Sequence, residues 1–203
     1  MRRLPLAQLL ASPAELAGVR NLFAAGGVAA LPTETFYALA ADPTSERGVS
    51  RIFEIKGRDD GKPLLVLFSS REQLEALGIR ARSELLDRLF RLWPASLTAV
   101  LPLSGPMAAS RGSASLGVRM PPVPAVRELL DAVGPLTGTS ANRSGASPLA
   151  DPEDVARVLG AELDFLVDGG ITPGGEVSTV VDATREPPVV LRPGVFRWPP
   201  ATR

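Results

Sequence analysis

The chain of 203 residues contains no cysteine and no histidine. Without cysteine there is no disulfide, no thiolate nucleophile and no Cys-based metal site. Without histidine there is no Ser-His-Asp or Cys-His machinery, no imidazole base near neutral pH, and no His-ligated zinc or haem. Any catalysis must rest on carboxylates, hydroxyls, backbone amides and fixed positive charge. Lysine is nearly missing too. Of the 22 basic residues 20 are arginine, and the two lysines, Lys56 and Lys62, share one short stretch. No apolar run approaches the roughly 20 residues that span a bilayer. The formal net charge is zero, which argues against a generic nucleic-acid binder.

What is present suits a soluble globular domain: 45% of the residues are hydrophobic and 22% charged, and the length is enough to bury a core. A single domain over 1–203 is expected, with its core at about 10–198 and a loose tail from Pro199 to Arg203. The start, Met1-Arg2-Arg3 followed by an apolar run, faintly resembles a secretory leader. Pro5 and Gln8 interrupt it, so a cytoplasmic protein is the expectation. The zero net charge hides an asymmetry: residues 1–46 carry −1, 47–119 carry +5 and 120–203 carry −4. The middle third is where an anionic ligand is expected.

Ser12-Pro13-Ala14-Glu15 is a capping box with Pro at the first helical position, and Gly26-Gly27 closes that helix. Val28 to Leu31 reads as a short buried strand. Ser45 can cap a second helix, in which Val49, Ile52, Phe53 and Lys56 share one side. Leu64 to Phe68, apolar throughout, reads as a strand covered on both faces. Helices are expected at about 70–77, 83–92, 124–133 and 152–159. Strands are expected at Leu97–Leu101, Leu116–Met120, Leu136–Thr139, Phe165–Val167, Ser178–Asp182 and Val189–Arg192. Interleaved strands and helices predict an α/β or α+β domain with mixed strand directions.

Four segments combine polar residues with turn formers at predicted strand ends, where open sheets bind ligands. Pro32-Thr33-Glu34-Thr35-Phe36-Tyr37 offers two hydroxyls and a carboxylate leaving a buried strand, with Glu34 available to an ammonium or a metal; an ordinary strand-to-helix turn is the competing reading. Lys56-Gly57-Arg58-Asp59-Asp60-Gly61-Lys62 puts three cations on a Gly-flanked loop suited to a polyphosphate. Asp59 and Asp60 either serve Mg²⁺ or neutralise the loop. Ser140-Ala141-Asn142-Arg143-Ser144-Gly145 offers either an anion nest or simple turn chemistry. The fourth comprises Ser115 to Arg119, Ser178-Thr179 and Leu191-Arg192-Pro193-Gly194. Arg119 and Arg192 sit in apolar strands, facing a ligand cavity or forming ion pairs to Asp168 or Asp182. Neither a P-loop nor a dinucleotide fingerprint is present.

In this order, the stretches LPTETFYALAADP, IFEIKGRDDGKPLLVL, LWPASLT, LGVRMP, TSANRSG, GGEVSTVVD and LRPG resemble the YrdC-like family, the threonylcarbamoyl-AMP synthases (TsaC). The resemblance runs from about residue 15 to 195. It implies a twisted mixed α/β sheet with flanking helices around a large concave cavity. It also implies synthesis of threonylcarbamoyl-adenylate and diphosphate from L-threonine, bicarbonate and ATP, with Mg²⁺ held mainly through the ATP phosphates and no protein metal site. Downstream tRNA threonylcarbamoyltransferase proteins would take the product to adenosine in tRNA, with weak direct tRNA binding conceivable. Residue by residue, it assigns Thr35, Arg119 and Ser178 to threonine. It assigns Lys56, Arg58, Lys62, Ser115, Ser140, Asn142 and Arg192 to the nucleotide and its phosphates, with Lys56 and Arg58 as the catalytic cations. The chain departs from the family pattern in FYALA, where Ala38 and Ala40 replace glycines, and in PASLT, where the family has PGPLT. Leu67 replaces a residue that is often polar, and Lys62 one that is often Asn.

Three other readings are open. A YrdC-like carbamoyltransferase domain of hydrogenase maturation belongs to long chains with zinc fingers, unlike this Cys-less one. A YciO-like paralogue of other activity shares the motifs. A non-catalytic RNA-binding module would use the basic middle third, but its aromatics, Phe53, Phe68, Phe90 and Trp93, fall at positions expected to be core.

Overall fold

The structure, a computed structural model, describes residues 1–57 and 61–198. The expectations for Arg58, Asp59 and Asp60 and for the 199–203 tail therefore lie outside the described residues.

The helices follow their caps. Helix α1 is Leu6–Leu10 and α2 is Pro13–Ala24, where the Ser12 side chain accepts from Glu15 N at 3.3 Å. Helix α3, Glu46–Lys56, starts under the Ser45 cap and ends at Gly57, which takes the left-handed φ of 64°. Lys56 is thus the last helical residue. Helices α4 (Arg71–Ala76), α5 (Ser83–Leu92), α6 (Pro124–Val133) and α7 (Pro152–Leu159) fall where capping and periodicity place them.

The strands form two sheets where a single sheet is expected. Strands β1 (Arg2–Pro5), β2 (Ala29–Leu31), β3 (Ala38–Ala40), β8 (Thr139–Ser140) and β9 (Phe165–Asp168) make one, in the order β1-β9-β2-β3-β8. The other contains β4 (Val66–Leu67), β5 (Leu97–Pro102), β6 (Ser115–Arg119), β7 (Leu136–Thr137), β10 (Thr179–Asp182) and β11 (Val189–Arg192), in the order β11-β10-β5-β6-β4-β7. Both mix parallel and antiparallel neighbours. The strand expected at Leu136–Thr139 breaks at Gly138 and passes from one sheet to the other. A Cβ at Gly138 would lie 2.7 Å from Leu67 Cγ, so the switch needs a residue without a side chain.

Residues 2–10, expected to lie before the core, belong to the fold. β1 pairs in parallel with β9, Leu4 opposite Val167, and Leu6 and Leu9 of α1 are buried. A four-residue strand whose partner lies about 160 residues away gives no local periodicity to read. The apolar run 64–68 keeps only two ladder residues, because Leu64 N and Phe68 N bond Ala109 O and Arg119 O instead.

β2 is buried on both faces. Val28 and Ala30 pack in the larger core with Ile52, Val118 and Leu89, while Ala29 and Leu31 pack with Phe23, Leu129 and Phe165 under α1, α2 and α6. Phe68, Phe90 and Trp93 stack edge to face, with ring centroids 5.0–6.2 Å apart. These aromatics serve packing, as expected, and offer no base-stacking platform. Among the described residues no helix is long and apolar enough to cross a membrane.

Candidate active site

The period of two in three neighbouring strands builds the main cleft, whose volume is about 670 Å³. Thr98 and Val100 of β5, Ser115, Gly117 and Arg119 of β6, and Ser178 and Val180 at β10 face it. The alternate residues Leu97, Ala99, Leu101, Leu116 and Val118 point into the core. Thr33, Thr35 to Ala38, Lys62 to Leu65, and Gly138 to Ser140 also line it.

Seven of the residues named from the sequence therefore meet on one cavity: Thr35, Lys62, Ser115, Arg119, Ser140, Ser178 and Arg192. Lys56 and Asn142 do not line it. Lys56 is 3% exposed, and its Nζ donates to Ser140 O at 2.7 Å, Asn142 Oδ1 at 3.1 Å and Asn142 O at 3.2 Å. Asn142 Oδ1 also accepts the Ser140 hydroxyl at 2.6 Å, while its Nδ2 donates to Arg143 O and Ala146 O at 3.0 and 2.6 Å. Both residues shape the loop from behind. Arg58 lies outside the described residues.

Thr35 is set by a short turn. The Thr33 hydroxyl donates to Phe36 O at 2.7 Å and accepts Thr35 N at 3.2 Å, so the Thr35 side chain stands at the cleft wall. Arg119 ends β6 with a side chain only 6% exposed. Burial pushes its guanidinium below the usual range, Glu34 opposes that shift, and the positive charge of Arg192 adds to it. The ion-pair partner of Arg119 is Glu34, at 2.9 Å, and neither Asp168 nor Asp182. Those two pair with Arg3 and Arg185. Among the described residues Glu34 is thus engaged with the Arg119 guanidinium.

The sequence places Arg192 inside an apolar strand, but β11 is an edge strand exposed along its whole length. The guanidinium folds back and donates to Ser178 O at 2.9 and 3.2 Å and to Ser178 Oγ at 3.2 Å. Burial lowers its pKa from the usual value. Gly194 makes this possible: a Cβ there would lie 2.2 Å from Val177 O. Gly194→Ala is expected to force β11 away from Ser178, costing about 1–3 kcal/mol. The loss is readable as a lower melting temperature together with weaker ligand binding.

Thr98 went unmarked in the sequence, whereas Thr33 and Tyr37 lie in the first of the four segments, Tyr37 without a role of its own. The Thr98 hydroxyl lies 3.1 Å from Ser178 Oγ, and its signal was a lone threonine alternating with Val100 in an apolar strand. Tyr37 is buried, and its hydroxyl donates to Gly170 O at 2.9 Å and accepts Gly169 N at 3.0 Å. Burial raises its pKa to about 12. It therefore anchors the foot of the 169–177 loop, which crosses to Thr35 through Gly174 N.

Asp168 braces the same foot. Burial pushes its carboxyl up, but the Gly170 N–H and the Arg3 guanidinium outweigh that and hold it below the ordinary range. A carboxyl depressed in the folded state contributes stability that is present above about pH 4 and lost as pH falls through the folded value. Asp168→Asn is expected to flatten the loss of stability below pH 4, measured by urea unfolding across pH 3–6.

A family model for Sua5/YciO/YrdC, described as "Telomere recombination", matches residues 21–194. The chain belongs to the Sua5/YciO/YrdC family. A threonylcarbamoyl-AMP synthase of Pyrococcus abyssi is 40% identical over 174 residues, 83% of this chain and 51% of that protein. The chain spans about half the length of the curated relatives it matches first. The crystal structure of P. abyssi Sua5 complexed with L-threonine superposes with a TM-score of 0.81 at 36% identity, covering 90% of this chain and 55% of that one. The crystal structure of Escherichia coli YciO superposes at 0.79 with 25% identity, covering 92% of each chain. The two mixed sheets with flanking helices are those of the Sua5/YciO fold.

Proposed function

We propose that the protein is a threonylcarbamoyl-AMP synthase, a nucleotidyltransferase that joins L-threonine, bicarbonate and ATP. The observation that carries this reading is the buried Arg119 opening onto a cleft lined with the hydroxyls of Thr35, Thr98 and Ser178. A guanidinium held in a low-dielectric wall suits a carboxylate, and adjacent hydroxyls suit a small polar amino acid. Lys62, Ser115, Ser140 and Arg192 supply the remaining polar wall for the nucleotide. The names of the relatives point to the same reaction.

The threonine amine and bicarbonate condense to a carbamate with loss of water. A carbamate oxygen then attacks the α-phosphorus of ATP, and diphosphate leaves. The substrate brings its own nucleophile, so the protein's contribution is positioning and charge stabilisation. That fits a chain with neither histidine nor cysteine. Within this reading Lys56 is a positioning cation that holds the Ser140–Asn142 turn, and the contact with phosphate falls to Arg58 and Lys62. Mg²⁺ enters as the counter-ion of the triphosphate. Among the described residues no three carboxylates gather as a metal cage. The adenylate would pass in the cytoplasm to tRNA threonylcarbamoyltransferase proteins.

The test is diphosphate release from ATP with each substrate omitted in turn. Release that needs both L-threonine and bicarbonate supports the synthase; release indifferent to both rules it out. The YciO-like reading rests on the end-to-end match to E. coli YciO. It gains ground if ATP binds but neither co-substrate affects turnover. A salt-dependent gel shift with tRNA and no ATP binding would favour an RNA-binding module instead.

A further inference from the structure

Glu34 sits between two cleft-lining neighbours, Thr33 and Thr35, yet does not line the cleft itself. Its Oε1 accepts two hydrogen bonds, from Arg119 Nη1 at 2.9 Å and from Ser96 Oγ at 2.8 Å. Its side chain is 14% exposed and that of Arg119 6%, so the pair is desolvated just behind the surface that Arg119 presents. Among the described residues, buried Glu34 Oε2 and buried Arg119 Nε have no hydrogen-bond partner.

The contact between the two side chains is therefore single-pronged, through Nη1 alone, and it leaves the Nε edge of the guanidinium uncommitted to Glu34. The Ser96 hydroxyl fixes the Oε1 atom that receives Nη1, and so fixes the direction from which Glu34 holds Arg119. Ser96 in turn is anchored, since its carbonyl accepts Thr179 N at 3.1 Å beside Ser178.

We propose that Glu34 and Ser96 form a bracket behind the cleft that holds the Arg119 guanidinium in its cleft-facing direction and so sets affinity for the carboxylate-bearing substrate. This rests on the synthase reading above. Both are positioning residues, since neither touches the cleft. Glu34 also supplies the charge that keeps Arg119 tolerable in a buried wall already next to Arg192.

Ser96→Ala, Ser96→Thr and Glu34→Gln test the bracket by calorimetric titration with L-threonine and with ATP, alongside KM for each. Ser96→Ala, which removes one hydroxyl, is expected to weaken L-threonine binding about threefold to tenfold, with ATP affinity and melting temperature unchanged. Ser96→Thr, which keeps the hydroxyl, is expected to restore it. Glu34→Gln is expected to cost about tenfold to hundredfold in the same ligand. L-Threoninamide, which lacks the carboxylate, is expected to bind wild type and Ser96→Ala alike. If wild type binds L-threonine and Ser96→Ala binds it equally, the bracket is wrong and the synthase reading stands. Equal losses for L-threonine and ATP would show a general loosening and also overturn it. If wild type binds ATP but not L-threonine, the synthase reading falls and the bracket with it.

Discussion

Lys56→Met is expected to lower the melting temperature by about 6–20 °C and to abolish turnover. Lys56 Nζ serves the carbonyls of Ser140 and Asn142 and the Asn142 side chain, in a site that is 3% exposed. Methionine matches the length but leaves these acceptors without their cation. Losing hydrogen bonds to a charged donor, at about 1.5–3 kcal/mol each and partly offset by the ammonium's own desolvation, costs about 3–5 kcal/mol here, and each kcal/mol shifts the midpoint by about 2–4 °C in a chain of this size. Activity falls for a separate reason. Ser140 lines the cleft, and its hydroxyl is aimed by Asn142 Oδ1, which Lys56 holds. Scanning calorimetry reads the first effect. Diphosphate release well below the new melting temperature reads the second. A variant as stable as wild type would show that the ammonium is not what holds the turn.

Arg119→Met is expected to reduce L-threonine-dependent diphosphate release about tenfold to hundredfold through KM for L-threonine. A charge-assisted hydrogen bond is worth about 1.5–3 kcal/mol, and this guanidinium is the buried cation beside Thr35, Thr98 and Ser178. The substitution also strands Glu34. Arg119→Met with Glu34→Gln should therefore recover stability while leaving the threonine KM high. The double variant separates the two effects: unchanged KM in both would remove Arg119 from substrate binding.

The two effects differ in how far the residues themselves announce them. Lys56 was visible because lysine is so rare here, and the α3 periodicity put it at the helix end, where it is found. Its direction was not visible. Whether an ammonium at a helix end faces ligand or loop depends on what packs beyond it, and here two carbonyls and an amide from residues 140–142 occupy that place. Arg119 was marked by the cost of a charge in an apolar strand, which left a ligand cavity or an ion pair open; the residue lines the cleft and is also paired. That the partner is Glu34, and not Asp168 or Asp182, depends on strands brought together from opposite sheets.

The sequence by itself determined which chemistry is excluded, the mixed α/β fold and seven of the residues that line the cleft. These follow from composition, from capping and periodicity within a dozen residues, and from ordered motifs. Tertiary structure decided the split into two sheets at Gly138, the parallel pairing of residues 2–5 with β9, and the exposed setting of Arg192. Among the described residues it also separated Lys62, Arg119 and Arg192, which face the cleft, from Lys56, which stands behind it. The physical reason is range. Hydrogen-bond caps and side-chain periodicity act over a few residues, whereas sheet partners, ion pairs and burial are set by segments tens to more than a hundred residues apart. With no histidine and no cysteine to mark a centre, the site is the place where fixed charge and hydroxyls from distant strands converge.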